Sequence, residues 1–287
     1  MQWRGRRTSA NIEDRRATTG SRRGAASLGG IAGFGVVAVV VIGYFLGVDL
    51  TPLLTGGGFD LGSGTLAEMT SEDVAAGEFV SVVLADTEAV WTDIFKAQVR
   101  GGYDPVTLVL YRGVTASPCG NASGATGPFY CPADKKVYLD TNFFTTMERQ
   151  LGAGGDFAMA YVVAHEVAHH VQDELGILGQ ANDLRGRVSE SASNAISVRI
   201  ELQADCLSGI WARQMEKTYG VIEPGDFDEA LNAAKQIGDD TLARNAGQRP
   251  MPHTFTHGTA EQRSRWFSTG LRSGEMQSCD TFAAKKL

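Results

Sequence analysis

Two stretches of the chain carry residue types and spacings suited to metal chemistry. The first is Ala164-His165-Glu166-Val167-Ala168-His169-His170. On a helix, His165 and His169 project from one face, so their imidazoles can meet on a single cation. Glu166 stands beside that face, where it can take a proton from a water on the cation. The segment from Phe157 to Val171 is almost wholly apolar, which predicts a buried helix. Two His and a Glu are costly there without a partner, and a tetrahedral Zn²⁺ serves all three. The second stretch is Ile200-Glu201-Leu202-Gln203-Ala204-Asp205-Cys206, inside a helical run from about Ser189 to Lys217. Glu201 and Asp205 are again four apart. A catalytic zinc needs a third protein ligand and an open fourth position. Glu201 is the predicted third ligand, and Asp205 the carboxylate bonded to a ligand imidazole N–H. Ile200, Leu202, Ala204, Leu207, Ile210 and Trp211 argue against a merely solvated acidic face.

Other elements must hold these two helices. A helix is expected from Ser71, capped by that side chain, with Phe79, Val82, Val83, Val90, Trp91, Ile94 and Phe95 inward and Gly101-Gly102 as its stop. Val106 to Tyr111 and Lys136 to Asp140 read as strands, with a Gly/Ser/Pro-rich loop bounded by Cys119 and Cys131 between them. After Gly220 the expected helices are Phe227 to Ile237, Asp239 to Ala246 and Thr259 to Arg272, the last presenting Trp266, Phe267 and Leu271 inward.

H-E-x-x-H followed some thirty residues later by E-x-x-x-D resembles the Glu-ligand branch of the zincin metallopeptidases. The whole chain is similar to the bacterial "putative neutral zinc metallopeptidase" family of membrane-anchored proteins. The matching stretches are Met1-Gln2-Trp3-Arg4-Gly5-Arg6-Arg7, Ile12-Glu13-Asp14-Arg15-Arg16, Gly127-Pro128-Phe129-Tyr130-Cys131-Pro132 and Val137-Tyr138-Leu139-Asp140. Beyond the two motifs they continue with Thr256-His257-Gly258, Gln262-Arg263 and Cys279-Asp280-Thr281-Phe282. Ala168 stands where such motifs often carry Gly, and touches no chemistry. The resemblance implies a zincin-like domain in which the segment around Val137-Tyr138-Leu139-Asp140 contributes a sheet edge that pairs with an extended peptide. It also directs attention to a residue that stabilises the oxyanion of a tetrahedral intermediate. His257 is the first candidate and His253 the second, with a His in a surface turn as the rival reading.

The four cysteines allow three pairings. Cys119–Cys131 would close the inter-strand loop, and Cys206–Cys279 would tie the C-terminal tail to the Glu201 helix. Cys206 as a zinc ligand is the rival, but it is rotated about 100° from Asp205, off the metal face.

Charge is unevenly spread. The net −7 divides into +5 over residues 1–28, none over 29–48, and so −12 over the remainder. An acidic main domain argues against nucleic acid as a partner. Gly29 to Val48 is twenty apolar residues, about 30 Å as a helix, behind an Arg-rich tail. The expected organisation is therefore a basic, disordered cytoplasmic tail (1–28), one transmembrane helix (29–48), a Gly-rich tether (49–68) and a zinc peptidase domain (69–287), periplasmic or extracellular. The expected fold class is α+β, mostly helical, with a small sheet. The expected function is zinc-dependent hydrolysis of peptide or protein substrates, with Glu166 as general base. Two other readings stay open: a zinc-containing cell-surface binding or assembly protein of weak activity, and a zinc hydrolase of a cell-wall amide.

Overall fold

The two expected strands form the centre of a four-stranded sheet in the computed structural model, which describes residues 1–17, 69–99, 101–123 and 126–287. In chain order the strands are β1 (Ile12–Asp14), β2 (Thr107–Tyr111), β3 (Val114–Ser117), β4 (Gly120–Ser123), β5 (Phe129–Cys131) and β6 (Lys136–Asp140). The main sheet has the order β1-β2-β6-β5, with β1, β2 and β6 parallel and β5 antiparallel to β6. Leu108 and Leu110 on β2 align with Val137 and Leu139 on β6. These four point into the main core, while Val109, Tyr111 and Tyr138 face a smaller core that also takes in Ala122 and Cys131. Burial on both faces explains why β2 and β6 read as continuous apolar runs rather than alternating ones. The hairpin β3–β4 is unexpected, and its second strand lies within the segment read as loop. β6 is an interior strand, so it is not the expected edge; that position belongs to β5.

The helices are α1 (Ser71–Gln98), α2 (Asn142–Arg149), α3 (Asp156–Glu174), α4 (Ile177–Arg185), α5 (Glu190–Gln214), α6 (Asp226–Gln236), α7 (Asp239–Asn245) and α8 (Ala260–Ser273). The α+β, mostly helical class is thus observed. The cap of α1 is Thr70 rather than Ser71: its side chain accepts from the Asp73 amide while the Asp73 carboxylate accepts from the Thr70 amide. The same reciprocal arrangement, Thr259 with Gln262, starts α8. α5 ends in a π-turn, Met215–Tyr219, closed by Gly220 at φ 60°.

α5 and α8 touch backbone to backbone. A Cβ on Gly270 would lie 1.8 Å from the Cys206 carbonyl oxygen, and one on Gly209 2.1 Å from that of Phe267. Only glycine permits this approach. Both expected disulfides are formed: Cys119–Cys131, and Cys206–Cys279, which joins the C-terminal segment to α5.

The first 17 residues depart most from expectation. They are folded onto the domain rather than disordered. Met1 and Trp3 are buried, with Trp3 packed edge-on against Phe79 of α1. The Met1 ammonium lies 2.7 Å from Asp156, 3.1 Å from Glu223 and 3.2 Å from Asp226. Arg6 pairs with Asp86 at 2.8 Å, Arg7 with Glu88 at 3.2 Å, and the Arg16 guanidinium lies over Gly77 of α1. β1 then adds to the sheet, Ile12 opposite Leu108. The basic side chains therefore serve as counterions to carboxylates within the fold. Residues 1–17 and 69–287 share one core. The expected transmembrane helix (29–48) and tether (49–68) lie outside the described residues. Among the described residues no helix is long and apolar enough to cross a membrane.

Candidate metal centre

α3 is buried along nearly its whole length, and Val163, Ala164, Val167, Ala168 and Val171 are fully enclosed. That packing fixes the rotation of the helix and aims His165 and His169 at α5. Their rings stand 4.9 Å apart, edge to face. From α5, Glu201 meets both: its Oε2 is 3.1 Å from His165 Nε2 and its Oε1 3.6 Å from His169 Nε2. One ligand atom from each of the three lies within 4.8 Å of the others. Tetrahedral zinc with bonds of about 2.1 Å separates neighbouring ligand atoms by about 3.4 Å. The three side chains keep 7, 12 and 19% of their surface, so the cluster is reachable from solvent rather than sealed.

The far nitrogens of both imidazoles are engaged, which leaves the near ones for a cation. His165 Nδ1 lies 2.9 Å from Asp205 Oδ1, off the axis of a linear hydrogen bond. His169 Nδ1 lies 2.8 Å from Gln172 Oε1. A carboxylate and an amide oxygen can only accept, so each Nδ1 carries the proton and each Nε2 presents a lone pair. Two lone pairs facing a carboxylate are repulsive unless a cation lies between them. The residues present therefore fit zinc. Without it, protons take that place. Burial opposes charge on His165, but Asp205 and Glu201 outweigh it and raise its pKa to about 10. Burial likewise opposes charge on Glu201, yet His169 and His165 hold its carboxyl well below the usual carboxylate range.

Asp205 is fully buried and holds a guanidinium and a hydroxyl as well as the imidazole of His165. Arg263 of α8 donates to it twice, Nε to Oδ2 and Nη2 to Oδ1, both at 2.9 Å. The Tyr161 hydroxyl donates to Oδ1 at 2.5 Å. Burial disfavours the Asp205 charge, but Arg263 and His165 hold its pKa below the ordinary value. The glycine contact between α5 and α8 is what lets Arg263 reach this carboxylate.

Glu166 is buried, and its charge acts on His169. His257 comes from the turn before α8. Asp239 Oδ2 accepts from the amides of Thr256, His257 and Gly258, which fixes that turn, and Asp239 Oδ1 lies 3.1 Å from His257 Nδ1. Burial opposes charge on His257, but Asp239 and Glu201 raise its pKa. His257 is thus near enough to Glu201 for their charges to couple. His253 is exposed, and its carbonyl accepts from Asn194. His170, next to the motif, is held by Tyr130 and by the Asp104 carbonyl at 2.7 Å. Cys206 is in its disulfide and takes no part in the cluster.

Sequence reasoning did not single out Gln172, Tyr161 or Asp239, nor Arg263 beyond its place in the resemblance. Gln172 had a local signal, a polar residue one turn past His169 in an apolar helix. Arg263 had none, since its partner is 58 residues away.

"Uncharacterized protein YpfJ" of Escherichia coli K12 is 45% identical over 286 residues, 98% of this chain and 99% of the relative. "Uncharacterized protein Rv2575" of Mycobacterium tuberculosis is 42% identical over 210 residues, 70% of this chain and 68% of the relative. No solved structure matches. The description "Putative neutral zinc metallopeptidase" matches residues 1–282, which takes in the folded N-terminal segment as well as both motifs, and the chain belongs to that family.

Proposed function

We propose that the protein is a zincin-like, zinc-dependent peptidase whose centre is His165, His169 and Glu201. The observation that carries this reading is the convergence of two imidazole Nε2 atoms on one carboxylate, each imidazole held from behind by an acceptor. Zinc bound there would supply the Lewis acidity that polarises a substrate carbonyl and makes a water acidic near neutral pH. Glu166 takes the proton of the attacking water and passes it to the leaving amine nitrogen, so it acts first as base and then as acid. His257, with Nδ1 held by Asp239, offers Nε2 to the carbonyl oxygen as negative charge develops. Asp205, Arg263 and Tyr161 keep His165 in one orientation.

Edge strand β5 lies beside α3, and Tyr130 on it bonds to His170 and, at 2.9 Å, to Asp173. An extended peptide adding to that edge would run past the centre, which favours a peptide over a compact substrate. Two disulfides support folding in an oxidising compartment.

The test is zinc-loaded protein against a diverse peptide library read by mass spectrometry, beside Glu166→Gln of equal zinc content. Glu166→Gln should lower turnover by about 10²–10⁴-fold. Cleavage that survives the substitution would sink this mechanism. Zinc at one per chain with no cleavage by the native protein would shift the reading to a zinc-containing binding protein or to a hydrolase of a non-peptide amide.

A further inference from the structure

Behind His169 runs a chain of buried amides that the reaction itself does not use. Gln172 is fully buried on α3. Its Nε2 donates to the Ile200 carbonyl at 2.8 Å and to Gln203 Oε1 at 3.0 Å. Gln203, also buried, donates from its Nε2 to the Cys279 carbonyl at 3.1 Å. Cys279 is the outer half of the disulfide to Cys206, which follows Asp205 on α5.

The polarity of this chain follows from its ends. Backbone carbonyls only accept, so the Cys279 carbonyl requires the Nε2 of Gln203 to face it, which turns Oε1 of Gln203 towards Gln172. Gln172 now meets two acceptors, the Ile200 carbonyl and Gln203 Oε1, so its own Nε2 must face them and its Oε1 must face His169. His169 Nδ1 must then be the donor, and its Nε2 carries a lone pair toward Glu201. No link can be reversed without leaving a buried donor or acceptor unpaired, at roughly 1–3 kcal/mol per group.

We infer that Gln172 and Gln203 are positioning residues, an amide relay by which the disulfide-anchored C-terminal segment sets the tautomer and orientation of His169. The inference rests on the zinc-centre reading. It pairs the two imidazoles: His165 is set by a charged carboxylate, His169 by a neutral relay ending at a backbone carbonyl. The disulfide stands at the root of both, because Cys206 adjoins Asp205 and Cys279 supplies the terminal acceptor.

The test measures zinc affinity by competition with a chromophoric chelator, and the visible spectrum of the cobalt(II)-substituted protein, for native chain, Gln172→Met, Gln172→Glu and Gln203→Met. Methionine keeps the shape and removes the hydrogen bonds. Loss of an outer partner of a metal-bound imidazole should weaken zinc by about 10–100-fold in Gln172→Met and change the cobalt bands. Gln172→Glu keeps an acceptor toward Nδ1 but offers no N–H to the Ile200 carbonyl and Gln203 Oε1, so it should recover only part of the loss. Gln203→Met should fall between, since the Ile200 carbonyl still orients Gln172. Native affinity and an unchanged cobalt spectrum in Gln172→Met would overturn the relay while leaving the centre intact. A native chain that takes up no zinc would overturn both. Should Gln172→Met not fold, Gln203→Met decides alone, because it touches no ligand: weakened zinc supports the relay and unchanged zinc overturns it.

Discussion

Replacing Asp205 by Asn isolates the contribution of one buried charge to both fold and centre. The carboxylate is wholly enclosed, and it answers a guanidinium that is itself 2% exposed. Both Arg263 bonds are 2.9 Å and make a two-point contact, the geometry in which a charged pair is strongest. Asparagine keeps one acceptor oxygen, but it turns an amide N–H₂ toward either Arg263 or His165 and leaves a buried cation uncompensated. Removing one partner of a buried pair costs about 3–5 kcal/mol, and the retained acceptor places the expected loss near the lower figure, about 3 kcal/mol. His165 also loses its orienting carboxylate, so zinc affinity should fall by about 10–100-fold, or roughly 1.4–2.7 kcal/mol. Urea unfolding of the zinc-free protein reports the first term, and chelator competition the second. The double variant Asp205→Leu with Arg263→Leu separates them: the two losses should be strongly non-additive, because no charge is left unpaired, although the Tyr161 hydroxyl loses its acceptor at roughly 1–3 kcal/mol, while zinc affinity stays low. A single Asp205→Asn variant within about 0.5 kcal/mol of native stability, with native zinc affinity, would refute the reasoning.

Three further outcomes are expected. Gly270→Ala should destabilise the domain by about 3 kcal/mol or more by urea unfolding, since its Cβ would meet the Cys206 carbonyl at 1.8 Å and the contact is backbone, not a movable side chain. Trp3→Ala should cost about 3–5 kcal/mol if residues 1–17 belong to the core, and nothing measurable if they are a detached tail. His257 has a folded pKa raised by Asp239, so its protonated form persists above 6.5 and is lost as pH rises through the raised value. The alkaline limb of kcat/KM against pH should therefore lie above 6.5 and move toward lower pH in Asp239→Asn; an unmoved limb would remove His257 from the mechanism.

The chemistry-bearing residues were legible because each pair sits within one helical turn. A four-residue spacing places His165 with His169, and Glu201 with Asp205, on common faces before any tertiary contact forms. The apolar runs around them announced burial, and the β2 and β6 segments announced themselves by length and composition. Capping residues located the helix starts to within one residue, as the shift from Ser71 to Thr70 shows.

What the sequence left open depended on contacts across long separations. Arg263 answers Asp205 only because Gly209 and Gly270 let two helices touch. Gln203 gains its role from a carbonyl 76 residues away. The arginines near the start resemble a topogenic signal when counted in isolation, yet Arg6 and Arg7 are counterions of Asp86 and Glu88 on α1. Composition records that a charge exists, whereas only the fold determines which opposite charge lies beside it. The sequence by itself thus determined the residues of the candidate cluster and the two helices that present them. Tertiary structure decided which Nδ1 meets which acceptor, that Asp239 holds His257 while His253 is exposed, and that the first strand of the sheet comes from residues 12–14. Spacing along a helix is local geometry, while pairing between distant segments is settled only when burial makes an unmatched charge or hydrogen bond too costly to leave.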